Sequence, residues 1–501
     1  MAQNYKEIEA AALSWLEDKL DEGRIVFKKT ELKITIFKYL KSQDYAVELH
    51  SNYFFVKKKD EFAQEAFKQY YWKILIQFLN IRFDSEDQNP AWYLTGSYPY
   101  EFLVDSIKIP SQQEQITIST KASSNTIINL YAEHHLVLSQ DKDFENKIII
   151  KHRLIDDDVY VLKPEYMILQ SNSTQYQLYE ENIVAYLKQK VLDADYVLDY
   201  FAKNRSPVLQ ARLIGALKQI GNQVLSLKLQ TIFNDSNYKV AIENPFSRDY
   251  KLQKPGKPAF VTRFGLSMAK AIKALEGIDP PRRLNKEVDK KAIDQFVIED
   301  TYHNLTIEGY DVTRELINEI NNKGLIEDQS NLRNTAAIAG FKRVIDLIKQ
   351  LAGTEYQFTQ DLTEALWQEL WSPSINAGLF KYQIDTYRNH MVSIKGSNSV
   401  PPGHEKIHHL LEEFYNHAND FDNGFRQAIF LHFFYVWIHP HSDGNGRISR
   451  FLMNLAFIKD KYKWLTIPSE DRKNYFAALE KSQLEDDISY FADYIRGLVS
   501  S

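Results

Sequence analysis

Trp437-Ile438-His439-Pro440-His441-Ser442-Asp443-Gly444-Asn445-Gly446-Arg447-Ile448-Ser449-Arg450 is the stretch on which the reading of this chain turns. Before it, Phe425 to Ile438 is apolar on nearly every face, the pattern of a buried helix. After it, Phe451, Leu452, Leu455 and Ala456 resume helical spacing. The stretch is therefore expected to be a loop held at both ends by core helices. Pro440 disfavours helical geometry at the residue before it, so the first helix should end near His439. Gly444 and Gly446 permit positive φ, which lets consecutive backbone N–H groups converge into an anion-binding nest. That nest opens into a helix N-terminus, which also favours phosphate.

The side chains add to this. Arg447 and Arg450, three residues apart, share a face of the first helical turn and can both reach phosphate oxygens. Asp443 is a hard oxygen ligand suited to a magnesium ion that bridges phosphates. An imidazole can take a proton from a hydroxyl near neutral pH, and His439, at the helix end, is the better fixed of the two. Together these residues describe a site for in-line attack of a hydroxyl on a nucleoside triphosphate. The plainer reading is a polar turn between two helices. It is disfavoured because base, metal ligand, nest and clamp occur together.

The totals are those of a globular chain: 501 residues, 44% hydrophobic and 26% charged, enough for roughly three domains. The net charge of −6 excludes a general polyanion binder. There is no cysteine, hence no disulfide or thiolate zinc site, and a cytoplasmic location is expected. The first twenty residues carry Glu7, Glu9, Glu17 and Asp18, unlike a signal peptide. No apolar run approaches membrane-spanning length. Nothing in the sequence speaks against a homo-oligomer.

In chain order, residues 5–21 and Glu31–Leu40 read as helices, and Ala46–Leu49 with Tyr53–Val56 as a hairpin around His50-Ser51-Asn52. Helices followed by a hairpin suggest a winged helix over residues 1–65. Arg24, Lys28, Lys29, Lys33, Lys38, Lys41, Lys57, Lys58 and Lys59, against Glu31, Asp44 and Glu48, give this segment a basic balance that fits duplex DNA phosphates. A solvated lysine face or a protein-docking module fits equally well. Residues 66–200 read as an α/β region in which β-rich segments dominate from Trp92 to about Leu162, with strands expected at 91–94, 115–118, 126–130, 147–150 and 159–162. With Ala91-Trp92-Tyr93-Leu94-Thr95-Gly96 followed by these strands, about the first 200 residues weakly resemble AbiEi-type antitoxins, which pair a winged helix with a small α/β domain. Residues 201–285 read as a helical connector, with helices near 209–220 and 224–233, and a linker punctuated by Pro255, Pro258, Pro280 and Pro281.

The motif His439-Pro440-x-x-Asp443-Gly444-Asn445-Gly446-Arg447-x-x-Arg450 resembles the signature of Fic-domain proteins, most of which transfer AMP from ATP to a protein hydroxyl. The resemblance implies ATP and Mg2+, a target protein offering a Ser, Thr or Tyr hydroxyl, and an all-α domain over residues 286–501 with one β-hairpin flap. His441 stands where the family usually has Phe. It is expected to pack as a neutral, hydrogen-bonded ring rather than to act as a second base. Val288 to Glu308 reads as one helix closing in Thr306-Ile307-Glu308-Gly309, with Gly309 as its cap. In the family such a Glu lies over the ATP site and pairs with the second motif arginine. Glu308 and Arg450 match that pair, which implies autoinhibition, with Asn304 in place of the usual Ser or Thr. Ile384 to Pro402 resembles the flap, with Met391, Val392, Ser393 and Ile394 docking the target by β-addition. Asp471 to Gln483 resembles the adenine-side helix, with Tyr475 and Gln483 as candidates for the base pocket. Within enzymes, transfer or removal of another phosphate-linked group stays open. From another class, the rival is a DNA-binding regulator or antitoxin that uses a Fic domain as its sensor.

Overall fold

The computed structural model describes every residue except 1, 86–88, 122–125, 155–156, 190–191, 205, 236–238, 251–256, 287, 289, 324–330, 380–386, 395 and 501. Two compact units emerge, one of residues 1–263 with 393–400, the other of 264–392 with 401–501.

The first unit begins with the helix Ala2–Asp21 and the strand β1, Val26–Lys28. A second helix, Ile34–Ser42, leads to the hairpin of β2, Ala46–His50, and β3, Tyr53–Val56. The antiparallel sheet has the order β1-β3-β2, and Phe55 faces Val26 on one side and Val47 on the other. Ser51 turns the hairpin with φ +47°. A second, mixed sheet follows, built from β4 (Trp92–Thr95), β5 (Gln115–Thr120), β6 (Thr126–Asn129), β7 (His135–Gln140), β8 (Ile149–Leu154) and β9 (Asp157–Leu162). Its order is β6-β7-β5-β4-β9-β8, with β4–β9 and β5–β7 parallel. Phe27, Phe54 and Phe55 of the small sheet and Trp92, Ile116, Ile118 and Leu136 of the large one belong to one continuous buried cluster. Residues 1–65 and 66–200, expected as separate domains, therefore share a core. β7 was not anticipated; its burial alternates, but its sequence, His-Leu-Val-Leu-Ser-Gln, carries no turn signal before it.

Val288–Glu308, read as one helix, is two: Lys290–Asp294 and Val297–Ile307, interrupted at Gln295 and Phe296. Part of the expected linker is also a helix, Ala259–Glu276. Its Val261, Phe264, Met268, Ala271 and Leu275 are buried at helical spacing, a stripe obscured by the prolines that flank it. The expected flap forms no strand at Met391–Ile394, and its residues 384–386 and 395 lie outside the described ones. Instead, the Ile109 N–H donates to Asn398 O at 2.9 Å, and Lys108 and Ser399 form an antiparallel bridge. Residues 393–400 thus complete the first unit.

The described part of the second unit is helical. Gly424–Ile438, the upstream helix, packs on Asn445–Lys459, the downstream helix. Leu332–Leu351 packs on Gln360–Asn376. No helix among the described residues is long and apolar enough to cross a membrane.

The last of these helix pairs is in backbone contact. A Cβ on Gly340 would stand 2.0 Å from the Leu370 carbonyl oxygen. Alanine is intrinsically about 1 kcal/mol better than glycine in a helix, but forcing two packed helices apart costs about 1–3 kcal/mol or more. Gly340→Ala should therefore lower the denaturant midpoint of unfolding. A raised midpoint would show that the two helices are free to separate.

Candidate functional site

The upstream helix ends at Ile438, and His439 caps it in the left-handed region, φ 51° and ψ 58°. The ring Nδ1 is 3.3 Å from Val436 O, where an Nδ1–H donates to the carbonyl and leaves the Nε2 lone pair open. Burial foremost, then the Arg388 guanidinium, push this imidazole down to about 4, while the Val436 contact, Glu308 and Asp443 pull the other way. At neutral pH the ring is an uncharged proton acceptor.

The loop after it closes on itself. Asn445 Nδ2 donates to His441 O at 2.7 Å, and the His441 N–H donates to Asn445 Oδ1 at 2.9 Å. The Asn445 side chain is therefore committed to the loop, and its backbone amide, the group expected to help bind phosphate, is what remains for an anion. Gly444 is the N-cap of the downstream helix at φ +89°. A Cβ there would meet Trp371 Nε1 at 2.8 Å. Gly446, expected to use positive φ as well, instead lies inside the helix. The need for glycine there is spatial, since a Cβ would come within 2.8 Å of Glu308 Oε1.

Glu308 is thus held directly over the N-terminus of the downstream helix, and its Oε1 accepts from Arg450 Nη2 at 2.5 Å. Burial pushes this carboxyl up, but Arg450 and Arg447 outweigh it and hold it below its ordinary value. Arg450 is 2% exposed. Its Nε donates to Asn304 Oδ1, and Asn304 Nδ2 donates to Asp300 O at 3.0 Å. Asn304 therefore binds the arginine rather than the Glu308 carboxylate. Gly309 at φ +83° ends the overlying helix as expected, its N–H donating to Thr306 O.

Arg447 is buried between aromatic faces, 4.7 Å from the Trp371 ring centroid and 5.3 Å from that of Tyr310. Its Nη2 donates to Asp443 Oδ1 at 3.2 Å, an oxygen that also accepts from the Gly444 N–H at 2.5 Å. The Asp443 side chain is half exposed, and both of these bonds fall on Oδ1. Among the described residues no group of three potential metal ligands converges. A lone, half-exposed carboxylate beside a helix N-terminus fits a magnesium ion that would take its remaining ligands from water and a bound anion.

Tyr475 is a core residue, 1% exposed, with its hydroxyl 2.8 Å from His432 Nε2 and 3.4 Å from Arg450 Nη1. It supports the arginine. Gln483 is 9% exposed, and its Nε2 is buried without a hydrogen-bond partner. Met391, Val392, Ser393 and Ile394 make no β-ladder. Sequence reading missed Tyr310, Trp371 and Arg388. The aromatic pair could be suspected only from proximity to glycine and tryptophan clusters, and a buried arginine leaves no local signal.

His441 is 4% exposed and stacks on Trp367 at 4.7 Å and 16°. Burial, with a smaller push from His439, drives it to about 3. The ring is neutral as expected, but neither ring nitrogen has a hydrogen-bond partner. Packing alone seats it.

Residues 354–457 match the Fic/DOC family, a span that holds His439 through Arg450 but neither Glu308 nor Tyr475. The chain carries a Fic domain in its C-terminal region. Among curated relatives, "Protein adenylyltransferase Fic" of Drosophila persimilis is 27% identical over 228 residues, 44% of this chain and 42% of the relative. That of Drosophila yakuba is 33% identical over 113 residues, 22% of each. The match thus spans less than half the length of these relatives. Among solved structures, Fic-1 from C. elegans has a TM-score of 0.37 at 15% identity, covering 67% of this chain and 88% of that one. A Fic domain containing signaling protein from Bacteroides thetaiotaomicron has a TM-score of 0.38 at 19% identity, covering 47% and 94%.

His441→Phe keeps the stacked ring and removes two unsatisfied nitrogens, so it should stabilise the protein by about 1–3 kcal/mol at pH 7. The sign with pH is fixed by the shift to about 3 from about 6.5 in the unfolded chain. Between these values the unfolded state binds more protons. The ring's neutral-form stability is therefore full above about 6.5 and drains away as pH falls toward 3. The Phe variant should lose stability less steeply through that window, as read by urea melts at several pH values. A variant less stable than the parent at pH 7 would mean that the nitrogens are solvated.

Proposed function

We propose that this chain transfers AMP from ATP to a hydroxyl of a target protein and of itself, and that Glu308 restrains the reaction. The observation that carries this reading is the Glu308 carboxylate on Arg450, above Gly446, at a helix N-terminus suited to an anion. Its oxygens stand in for those of a phosphate. The substrate hydroxyl gives its proton to His439 Nε2, its oxygen attacks the α-phosphorus in line, and pyrophosphate leaves. A ring depressed to about 4 is a weak base, and it suffices because the transition state of phosphoryl transfer is loose and the proton departs late. Arg447 and Arg450 would take phosphate oxygens, as would the Gly444–Gly446 amides. Asp443 would hold magnesium, which when bound offsets triphosphate charge. Tyr475 and Gln483 are proposed to border the base through the helix that carries them, and residues 391–394 to meet the target backbone.

A free guanidinium is needed by phosphate and is met by Glu308 instead. A hydrogen bond to a charged group is worth about 1.5–3 kcal/mol, so Glu308→Gly should raise initial rates of self-AMPylation roughly 10- to 100-fold at matched ATP. His439→Ala in the same background should lose about 10²–10⁴-fold in transfer while keeping ATP affinity. Mass spectrometry after incubation with ATP and magnesium checks both. Undiminished transfer by His439→Ala would overturn the assignment of the base.

A second reading concerns the N-terminal helices and hairpin, a winged-helix arrangement proposed to touch duplex DNA. Lys33, Lys38 and Lys41 are exposed along Ile34–Ser42, which favours it. Charge pairing limits it, since Glu48 meets both Lys29 and Lys41, Glu31 meets Arg24, and Asp44 meets the buried Lys57. The full chain should bind labelled duplex at low salt and release it steeply as salt rises. No binding at low salt would leave protein docking as the use of this face.

A further inference from the structure

Arg388 is 3% exposed, and no carboxylate pairs with it among the described residues. Its guanidinium is spent on carbonyls. Nε donates to His439 O at 2.7 Å, Nη1 to His390 O at 3.0 Å, and Nη2 to Pro402 O and, at 3.5 Å, to Ile438 O. Its backbone N–H donates to Pro440 O at 2.9 Å. Three consecutive carbonyls, Ile438 to Pro440, thus end on one residue. They lie at the end of the upstream helix, where carbonyls lack partners within the helix and the helix dipole favours a cation. His439 stands there in a left-handed conformation, which costs a non-glycine residue roughly 1–2 kcal/mol.

We propose that Arg388 is the positioning residue for His439, its fork holding the strained turn that presents the ring and its charge standing beside the imidazole. The proposal rests on the reading of His439 as the base. The fork fixes the His439 carbonyl from one side, while Val436 O takes Nδ1 from the other, so Nε2 has one direction in which to point. The charge acts separately. The charged and titratable groups that bear on the ring are Arg388, Glu308 and Asp443, with His441 beyond. Of these Arg388 alone opposes protonation directly, and it adds to burial in keeping His439 at about 4. Burial lowers Arg388 itself to about 10, so it stays charged wherever the enzyme would work.

Fork and charge can be separated in the 501-residue chain carrying Glu308→Gly. The readouts are the NMR titration of ¹³C-labelled histidine, with the His439 signal identified by its loss in His439→Gln, and steady-state AMP transfer. Arg388→Met removes both functions. Its His439 midpoint should rise by about one pH unit or more toward 6.5, and kcat should fall about 10- to 100-fold with KM for ATP within about twofold, as a misplaced reacting group predicts. Arg388→Lys keeps the charge but cannot span the carbonyls. Its midpoint should stay within about half a unit of the parent, with the same loss in kcat. An unchanged midpoint in folded Arg388→Met overturns the proposal, and so does a parental kcat in Arg388→Lys. If Arg388→Met does not fold, the lysine variant decides alone. If the Glu308→Gly parent itself transfers no AMP, the functional reading fails, and the two NMR midpoints still decide whether Arg388 governs the ring.

Discussion

A guanidinium taken out of water must be matched by acceptors or it unfolds its surroundings, and Arg450 is such a group. Several kcal/mol of desolvation are at stake for a buried ion. At 2% exposure it is met by Asn304, Glu308 and the Tyr475 hydroxyl, which come from two helices outside the motif. Tyr475 is steadied in turn by His432 of the upstream helix. One side chain thus ties four helices together. It also explains why Asp300, Asn304 and Glu308, spaced by four, face inward on a helix that would otherwise be apolar there. Asp300, buried below Asn304, is pushed up to about 6 by its burial even though Trp464, Thr466 and Arg450 oppose the shift.

The motif loop is built to be stiff. The Asn445 side chain bonds both backbone groups of His441, Trp367 covers the His441 ring, Arg388 gathers the carbonyls before it, and Gly444 starts the next helix. Each device fixes backbone rather than reaching toward solvent. What these bonds leave unused is short: the Nε2 of His439, one oxygen of Asp443 and the first amides of the downstream helix. A rigid frame that leaves a few polar groups unspent is the arrangement expected of a site that must hold a reacting atom to within a fraction of an ångström.

Much of this could be read from the chain. The helix–loop–helix around His439, the hairpin at His50-Ser51-Asn52 and the Gly309 cap follow from local chemistry, and the Glu308–Arg450 pair was expected only from the family resemblance. The rest was hidden because it is set by distant contacts. Gly446 looked like a turn glycine, but its reason lies across space, in a carboxylate over a hundred positions earlier in the sequence. The break at Gln295 and Phe296 has no proline or glycine to announce it. The helix Ala259–Glu276 lay between prolines that drew attention to themselves. Arg388 sits in a stretch, Tyr387-Arg388-Asn389-His390, that reads as surface, and only the fold turns it inward. The hydrogen bond expected at His441 failed because its neighbours are aromatic rings.

The excursion of residues 393–400 into the first unit has a topological consequence. The chain passes from the first unit to the second near residue 263, returns for eight residues, and passes over again. Three crossings join the units, so no single cut separates them. A fragment beginning at residue 286 would hold the whole motif, yet it would lack the Lys108 and Ile109 backbone to which its own residues 398 and 399 are bonded. The same threading means that a proteolytic nick between the units would leave them tethered.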